Sequence, residues 1–241
     1  MPHTLFISDL HLSPDTPEAT GTLLHFLRHT APAADALYVL GDLFEYWIGD
    51  EGLAQPFAQE VARAFRGLST DGVPVYFMHG NRDFLLGERF ALSSGMKLLA
   101  DPTTVDLYGT RTVLMHGDTL CSDDVEYQKF RAMVRDPAWQ QAFLAKPLDE
   151  RVRMAREVRG KSEHAKQVKD VSIMDVTPAT VEAAFRAHNY ARLIHGHTHR
   201  PARHDHQIDG HGCERWVLAD WYDHGSYLLC DAGGCRHQPL K

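Results

Sequence analysis

The chain has 241 residues, of which 44% are hydrophobic and 24% are charged, and its formal net charge is -7. That length and composition predict a globular protein with one sizeable core, or a core domain that carries an insert. The acidic balance excludes a protein whose whole surface grips nucleic acid, so no nucleic-acid partner is expected. No apolar run approaches the roughly 20 residues of a membrane span, so a spanning helix is not expected either.

The cysteines and the first residues indicate a cytoplasmic protein. No two cysteines form a C-x-x-C pair, and nothing before the first apolar run has the pattern of a signal peptide. We therefore expect reduced thiols throughout, and a peripheral contact with a membrane stays open. The cysteines are Cys121, Cys213, Cys230 and Cys235.

Five short apolar runs divide the chain, and each has the continuous pattern of a strand that is buried on both faces. They lie at residues 5–7, 37–40, 75–78, 112–115 and 192–194. Between them, the spacing of apolar residues predicts helices at 22–29 and 56–68. Residues 103–108 predict an edge strand, and residues 216–219 and 225–229 predict strands of a closing antiparallel region.

Each of these apolar runs leads directly into Asp, Asn or His. In layered α/β folds, ligands bind beyond the carboxyl ends of the strands, so loops that are distant in sequence converge there. A core histidine or a capping aspartate explains any single case, but it does not explain all of them. His197 and His199 would share one face of an extended segment. The candidate ligands are Asp9, His11, Asp42, Asn81, His116, His197 and His199.

These candidates offer carboxylate, amide and imidazole donors and no thiolate, a combination that suits Mn²⁺, Fe²⁺ or Zn²⁺. Seven candidate ligands are more than one ion needs. If one carboxylate bridges, they suit two ions about 3.5–4 Å apart, which is the spacing used for phosphoryl hydrolysis.

The segment at residues 123–189, called the insert below, differs from the rest of the chain. It is rich in helix formers, and between residues 146 and 169 it has eight Lys or Arg residues against four Asp or Glu. We predict a helical insert with local positive charge and with apolar faces. A solvated helical surface whose apolar faces pack only against the core would explain the same pattern.

The ligand blocks resemble those of the calcineurin-like metallophosphoesterases. The family pattern D-x-H, G-D, G-N-H-[DE], H and G-H-x-H is matched in order by Asp9-Leu10-His11, Gly41-Asp42, Gly80-Asn81-Arg82-Asp83, His116 and Gly196-His197-Thr198-His199. The resemblance implies an α/β fold, a β-sandwich flanked by helices in α-β-β-α layers. It also implies that the first ion is held by Asp9, His11, Asp42 and His199, that Asp42 bridges, and that the second ion is completed by Asn81, His116 and His197.

One position departs from the broad family, because Arg82 stands where a histidine usually follows Gly-Asn. A histidine can hand a proton to a poor alkoxide leaving group, whereas arginine stays charged and only donates hydrogen bonds. Arginine therefore fits a leaving group that needs no proton, such as a phosphate released from a diphosphate. In the alternative, Arg82 merely pairs with Asp83 to shape the loop.

Over nearly its full length the chain is similar to the UDP-2,3-diacylglucosamine hydrolases of the lipid A pathway. The similarity is carried by residues 5–12, 40–45, 79–87, 115–121, 173–176 and 193–201. It implies a core at 1–122 and 190–241, with the insert as a helical cap that receives two acyl chains. It also implies catalytic roles for Asn81, Arg82 and His197, and substrate contacts by Asn81, Arg82, Asp124, Ser162, Lys166, Lys169 and His197.

The implied activity is attack by water on the α-phosphorus of UDP-2,3-diacylglucosamine, which gives UMP and 2,3-diacylglucosamine 1-phosphate. Two divalent ions, preferably Mn²⁺, would serve as cofactors. The protein would lie on the anionic cytoplasmic face of the inner membrane without an obligate protein partner. The alternative is a soluble nucleotide pyrophosphatase or phosphodiesterase on the same metal site. A binding module without activity is disfavoured, because it would not need the full ligand set.

Overall fold

The computed structural model describes residues 1–168, 175–222 and 225–240, and for residues 161–168 it describes the backbone alone. These residues form two β-sheets and the helices that flank them. The strands are β1 (Thr4–Ile7), β2 (Ala36–Val39), β3 (Val75–Met78), β4 (Met96–Leu99), β5 (Thr103–Leu107), β6 (Thr110–Met115), β7 (Arg192–His195), β8 (Ala202–Ile208), β9 (His211–Val217), β10 (Ser226–Asp231) and β11 (Gly234–Pro239). The α-helices are α1 (Pro17–His29), α2 (Pro56–Thr70), α3 (Glu88–Ser94), α4 (Val125–Val134), α5 (Pro137–Leu144), α6 (Leu148–Val168) and α7 (Pro178–Ala187).

Parallel strands bring the predicted ligands to one edge of each sheet. The first sheet has the order β11-β10-β1-β2-β3-β4, and the second has the order β5-β6-β7-β9-β8. β1 to β4 run parallel to one another, and so do β6, β7 and β9. Because parallel strands end at the same edge, the loops after β1, β2 and β3 meet, and so do the loops after β6 and β7.

Alternating side chains build the layers between and outside the sheets. Phe6 of β1 belongs to the apolar cluster between the sheets, together with Ile194 of β7. Its neighbour Leu5 belongs to the outer cluster that α1 and α2 cover. On the other side, Phe185 of α7 packs with Leu193 of β7. The layers are therefore α-β-β-α, and the expected fold class is confirmed.

The predicted strands are largely confirmed. The five apolar runs are β1, β2, β3, β6 and β7, and the expected edge strand is β5. The strand expected at 216–219 is wrong in its bounds, because β9 begins at His211 and ends at Val217. β9 pairs along its whole length with β8, and β8 and the first half of β9 are mostly polar, so no hydrophobic alternation predicts them.

The expectation of reduced thiols is wrong for two of the cysteines. Cys230 and Cys235 face each other across β10 and β11 with their Cα atoms 4.1 Å apart, and they form a disulfide. The pairing arises from the register of the hairpin, which the spacing of the cysteines in the sequence does not reveal. The thiols of Cys121 and Cys213 are buried.

The insert is helical where it is described, with α4 to α7 following β6. Phe143 of α5 is buried in the outer cluster of the first sheet, and Arg151 of α6 is only 3% exposed. By contrast, α7 packs on the second sheet and completes its outer layer. The division of the chain into a core and a lipid-binding cap stays a prediction.

Candidate metal centre

The predicted ligands lie in tight loops with unusual backbone. Asp9, His11, Asp42, His197 and His199 all have positive φ, at 56°, 50°, 51°, 68° and 55° respectively. For a residue other than glycine, such a conformation costs on the order of 1 kcal/mol or more, and it persists only where surrounding contacts enforce it. This concentration of strained backbone points to a functional site at the carboxyl edge of the sheets.

The segment after β7 is not extended, so His197 and His199 do not share a face as the spacing predicted. Gly196 lies so close to the β1 loop that a Cβ atom there would stand 2.2 Å from Ser8 Oγ and 2.3 Å from Asp9 Oδ2. The chain therefore turns tightly against that loop. As a result, His197 faces Asn81, whereas His199 faces Asp9.

One group of ligands gathers around Asp9, which is fully buried. Asp9 Oδ1 lies 3.4 Å from His199 Nε2, which in turn lies 3.3 Å from His11 Nε2. Ser8 Oγ and the backbone N–H of His197 donate to Asp9 Oδ2 at 2.5 and 2.9 Å, so Oδ1 is left facing the imidazoles. Asp9, His11 and His199 offer ligand atoms within 4.8 Å of one another.

A second group gathers around His116, also fully buried. His116 Nε2 lies 3.8 Å from Asp42 Oδ1 and 3.0 Å from Asn81 Oδ1, and His197 Nδ1 lies 2.9 Å from the same amide oxygen. The Leu40 carbonyl accepts a hydrogen bond from His116 Nδ1 at 2.8 Å. Because Nδ1 is occupied in this way, Nε2 is the nitrogen that can hold a metal.

All the predicted ligands thus converge in one place. Asp42 faces both groups, because its Oδ2 lies 4.0 Å from His11 Nε2 and its Oδ1 lies 3.8 Å from His116 Nε2. Asp9 also has an oxygen within 4.8 Å of ligand atoms of both groups. The assignment of ligands to particular ions, and of Asp42 as the bridging ligand, stays a prediction.

The buried carboxylates control the protonation of the histidines. Burial lowers the pKa of His116, but the charge of Asp42 and of other nearby carboxylates outweighs burial and raises the pKa to about 9. His199 is also buried, yet its contacts with Asp220 and Asp9 raise its pKa to about 10. The site is therefore negative enough to attract cations.

The donor set fits a divalent metal centre. Within the described residues, Asp9 Oδ1 is buried and has no hydrogen-bond partner, which is costly for a carboxylate oxygen unless a cation lies beside it. Mixed carboxylate, amide and imidazole donors suit first-row divalent ions. The two groups identified above, one around Asp9 and one around His116, would hold them.

Arg82 belongs to this centre and does not pair with Asp83. Asp83 is fully buried, and it accepts backbone N–H bonds from Gly80 at 2.9 Å and from Leu43 at 2.7 Å. The guanidinium of Arg82 lies 3.8 Å from Glu45. Among the described contacts, Asp83 therefore shapes the loops through backbone bonds, and the alternative in which Arg82 only pairs with Asp83 is wrong.

Helix α4 joins the insert to the loop that carries His116. The hydroxyl of Tyr127 donates to Asp118 Oδ2 at 2.6 Å, and Arg131 Nε donates to the same oxygen at 2.7 Å. Tyr127 also stacks on His197, with ring centroids 5.9 Å apart. The buried Asp118 carboxylate thus ties the start of the insert to the second ligand group.

The predicted substrate contacts outside the ligand loops fall on the insert. Asp124 caps α4, where its Oδ1 accepts the backbone N–H of Tyr127 at 3.1 Å. Ser162 and Lys166 lie on α6 where only the backbone is described, and Lys169 lies outside the described residues. Their roles in substrate binding stay predictions.

Apolar side chains of the insert divide between the core and the surface. Phe143 is buried against the first sheet, as the packing alternative expects. However, four apolar side chains on α4, α5 and α6 are 38% to 55% exposed: Val125, Met133, Leu144 and Val158. Of the helices in the described parts of the chain, none combines the length and the apolar character that a bilayer span requires.

Sequence reasoning missed the carboxylates that surround the ligands. Glu45 lies 3.4 Å from His11 Nδ1, and Asp220 lies 3.0 Å from His199 Nδ1. The one signal for Glu45 is an acidic residue within the otherwise apolar stretch that follows Gly41-Asp42. Asp220 has no comparable signal, since only the fold brings the segment after β9 beside His199.

Known proteins resemble this chain over nearly its whole length. Residues 2–201 match the model of the family described as calcineurin-like phosphoesterase. A UDP-2,3-diacylglucosamine hydrolase from Stenotrophomonas maltophilia is 52% identical, with 96% of each chain covered. Proteins of the same name from Aeromonas hydrophila and Xanthomonas axonopodis are 54% and 52% identical, over 97% and 98% of this chain and 96% and 98% of theirs. The chain therefore belongs to the calcineurin-like phosphoesterases and, within them, to the UDP-2,3-diacylglucosamine hydrolase family.

Proposed function

We propose that this protein is a metal-dependent hydrolase that cleaves the diphosphate of UDP-2,3-diacylglucosamine into UMP and 2,3-diacylglucosamine 1-phosphate. The observation that carries the proposal is that the two ligand groups share one site, with the guanidinium of Arg82 held nearby through Glu45. This is a site for phosphoryl chemistry on an anionic substrate. The identity with named hydrolases across the whole chain supports the particular substrate.

In the proposed reaction a water molecule attacks the α-phosphorus, and the bond from that phosphorus to the bridging oxygen breaks. Two bound divalent ions, which we propose to be Mn²⁺, would lower the pKa of water and offset the charge that grows on the phosphoryl oxygens. Asn81 and His197 belong to the second ligand group, and they would also contact a phosphate bound there. Arg82 would hold the phosphate by charge and by its planar fork of donors.

The leaving group explains why arginine suffices where the broad family has histidine. The departing phosphate of a sugar 1-phosphate is stable without immediate protonation, so the site needs a fixed positive charge more than a proton donor. His11 and His116 are turned toward the ligand groups, which makes them ligands in this proposal and not acids. Arg82 therefore stabilises negative charge as an oxyanion donor would.

The insert would bind the lipid part of the substrate. Its exposed apolar side chains on α4, α5 and α6 offer contacts that a soluble nucleotide would not use. Ser162, Lys166 and Lys169 would contact the polar part of the substrate, and Asp124 would do so from the start of α4. The excess of basic residues lies at 146–169, which includes α6, so we propose that this part of the insert also holds the protein on the anionic inner membrane.

Hydrolysis in H₂¹⁸O tests both the reaction and the phosphorus that is attacked. Attack at the α-phosphorus puts the label into UMP, and label in the sugar 1-phosphate would contradict the proposal. UDP-sugars without acyl chains are the matched control substrates. Comparable turnover of acylated and unacylated substrates would favour the soluble pyrophosphatase instead.

A further inference from the structure

A single buried carboxylate, that of Glu45, lies beside one candidate metal ligand, beside Arg82 and beside an arginine of the insert. Glu45 follows β2, and only 6% of it is exposed. Its Oε2 atom lies 3.4 Å from His11 Nδ1, and its Oε1 atom lies 3.8 Å from Arg82 Nη1 and 3.2 Å from Arg159 Nε. The hydroxyl of Tyr222 lies 3.5 Å from Oε2. Glu45 is thus placed to fix the positions of several side chains at once.

Glu45 determines which nitrogen of His11 can hold a metal. His11 Nε2 points to the ligand group, 3.3 Å from His199 Nε2, while Nδ1 points to Glu45. A carboxylate beside Nδ1 favours a proton there and leaves the Nε2 lone pair for the metal. His199 shows the same arrangement, with Asp220 3.0 Å from its Nδ1. Each imidazole of the first ligand group therefore has a carboxylate behind it.

Glu45 also holds two guanidinium groups that come from different parts of the chain. Arg82 belongs to the loop after β3, whereas Arg159 belongs to α6 of the insert. Both approach the same oxygen, so one negative charge faces two positive ones. Glu45 therefore joins the loop after β3 to the insert through these two side chains.

We propose that Glu45 is a positioning residue, which fixes the metal-binding tautomer of His11 and at the same time holds Arg82 and Arg159 in place for the diphosphate. The part that concerns the diphosphate rests on the proposed function, whereas the part that concerns metal binding does not. Glu45 does not touch the reacting atoms. Its effect passes through His11 and the two arginines.

Glu45→Gln tests the proposal, because it keeps the shape of the side chain and removes its charge. Free Mn²⁺ measured by electron paramagnetic resonance gives the metal dissociation constants of the full chain. Loss of an orienting carboxylate should weaken Mn²⁺ binding about 10- to 100-fold. At saturating Mn²⁺, KM for UDP-2,3-diacylglucosamine should also rise, since the arginines lose their anchor.

Glu51→Gln is the matched control. Glu51 also pairs with an arginine of α6, Arg151 at 3.1 Å, but its side chain is 49% exposed, and among the described contacts it touches none of the candidate ligands. Its Mn²⁺ dissociation constants should equal those of the parent. Parental Mn²⁺ binding in Glu45→Gln would overturn the proposal. A parental KM with weakened Mn²⁺ binding would overturn only the part that depends on the substrate.

A second measurement needs no variant and stands even if Glu45→Gln does not fold. In the Zn²⁺-loaded parent, ¹⁵N NMR of the His11 ring should show a proton on Nδ1 and a metal-bound Nε2. A proton on Nε2 with Nδ1 bound to the metal would overturn the assignment of Glu45.

Discussion

Gly80 offers a test of how closely the metal-site loops must approach each other. A Cβ atom at Gly80 would lie 2.1 Å from Asp42 Oδ1 and 2.3 Å from the backbone nitrogen of Asp42. To reach an ordinary contact of 3.4 Å, the Asp42 carboxylate must move by roughly 1.3 Å. Metal–ligand distances tolerate only about 0.2 Å. Gly80→Ala should therefore displace Asp42, the candidate ligand that faces both groups.

The expected loss can be divided into stability and activity. Inserting a methyl group into a packed region costs roughly 1–3 kcal/mol of the free energy of unfolding. A displacement of about 1 Å at the reacting centre costs about a hundred-fold in rate. We therefore expect Gly80→Ala to remain folded, to lose bound metal and to lose at least that factor in kcat/KM. Metal content by mass spectrometry and thermal unfolding separate the two effects.

Gly67→Ala is the matched control for this substitution. Gly67 lies inside α2, and a Cβ atom there meets nothing within 4 Å. Alanine in a helix interior is favoured over glycine by about 1 kcal/mol, so Gly67→Ala should be slightly more stable with unchanged kinetics. A Gly80→Ala protein with parental metal content and parental kcat/KM would refute the reasoning, because the loops would then have room to adjust.

Four other changes test the site. Asp42→Ala should remove both metals and nearly all activity from a folded protein, and near-parental metal content would contradict the bridging assignment. Arg82→Ala should keep its metals and lose roughly 2–4 kcal/mol of transition-state stabilisation. Arg82→Lys should recover only part of that loss in the same kinetic assay. A near-parental kcat in Arg82→Ala would contradict a catalytic role for Arg82. Lys169→Ala should raise KM for the acylated substrate without changing metal content, and parental kinetics would make that lysine part of a solvated surface. When a chelator has removed the metal, rebinding of metal near pH 7 should release protons. The pKa values of His116 and His199 are raised to about 9 and about 10, and a metal needs both imidazoles neutral. Calorimetry in buffers of different ionisation enthalpy measures that release, and affinity that does not rise with pH would contradict it.

The sequence predicted the site wherever a buried apolar strand was followed directly by a polar residue that can bind metal. β1, β2 and β3 are continuous apolar runs, and parallel pairing carries their ends to one edge. The polar residues that follow these strands could therefore be assigned to one site before any distance was known. The same reasoning found His116 and His197 in the second sheet, because β6 and β7 are also parallel.

The groups that orient the ligands could not be predicted in the same way. Glu45 and Asp220 each lie beside a histidine that is distant in sequence, and neither belongs to a spaced motif. The polar strands β8 and β11 were missed because their side chains do not alternate between apolar and polar. The conformation of His197 and His199 was also hidden, since it depends on the close approach of Gly196 to Ser8 and Asp9.

The distribution of charge bears on the proposal that this acidic chain acts on a diphosphate at an anionic membrane. The carboxylates of Asp9, Asp42 and Glu45 are at most 6% exposed, and each lies beside an imidazole or a guanidinium. Their charge is therefore directed at cations inside the site and not at the substrate. The outer surface as a whole still repels an anionic leaflet, because the net charge of the chain is -7. Attraction needs a region with local positive charge, and residues 146–169 are such a region, with eight Lys or Arg against four Asp or Glu. Exposed apolar side chains lie on α4, α5 and α6. The proposed membrane contact would thus turn the insert toward the lipid, on the side from which an acylated substrate must enter.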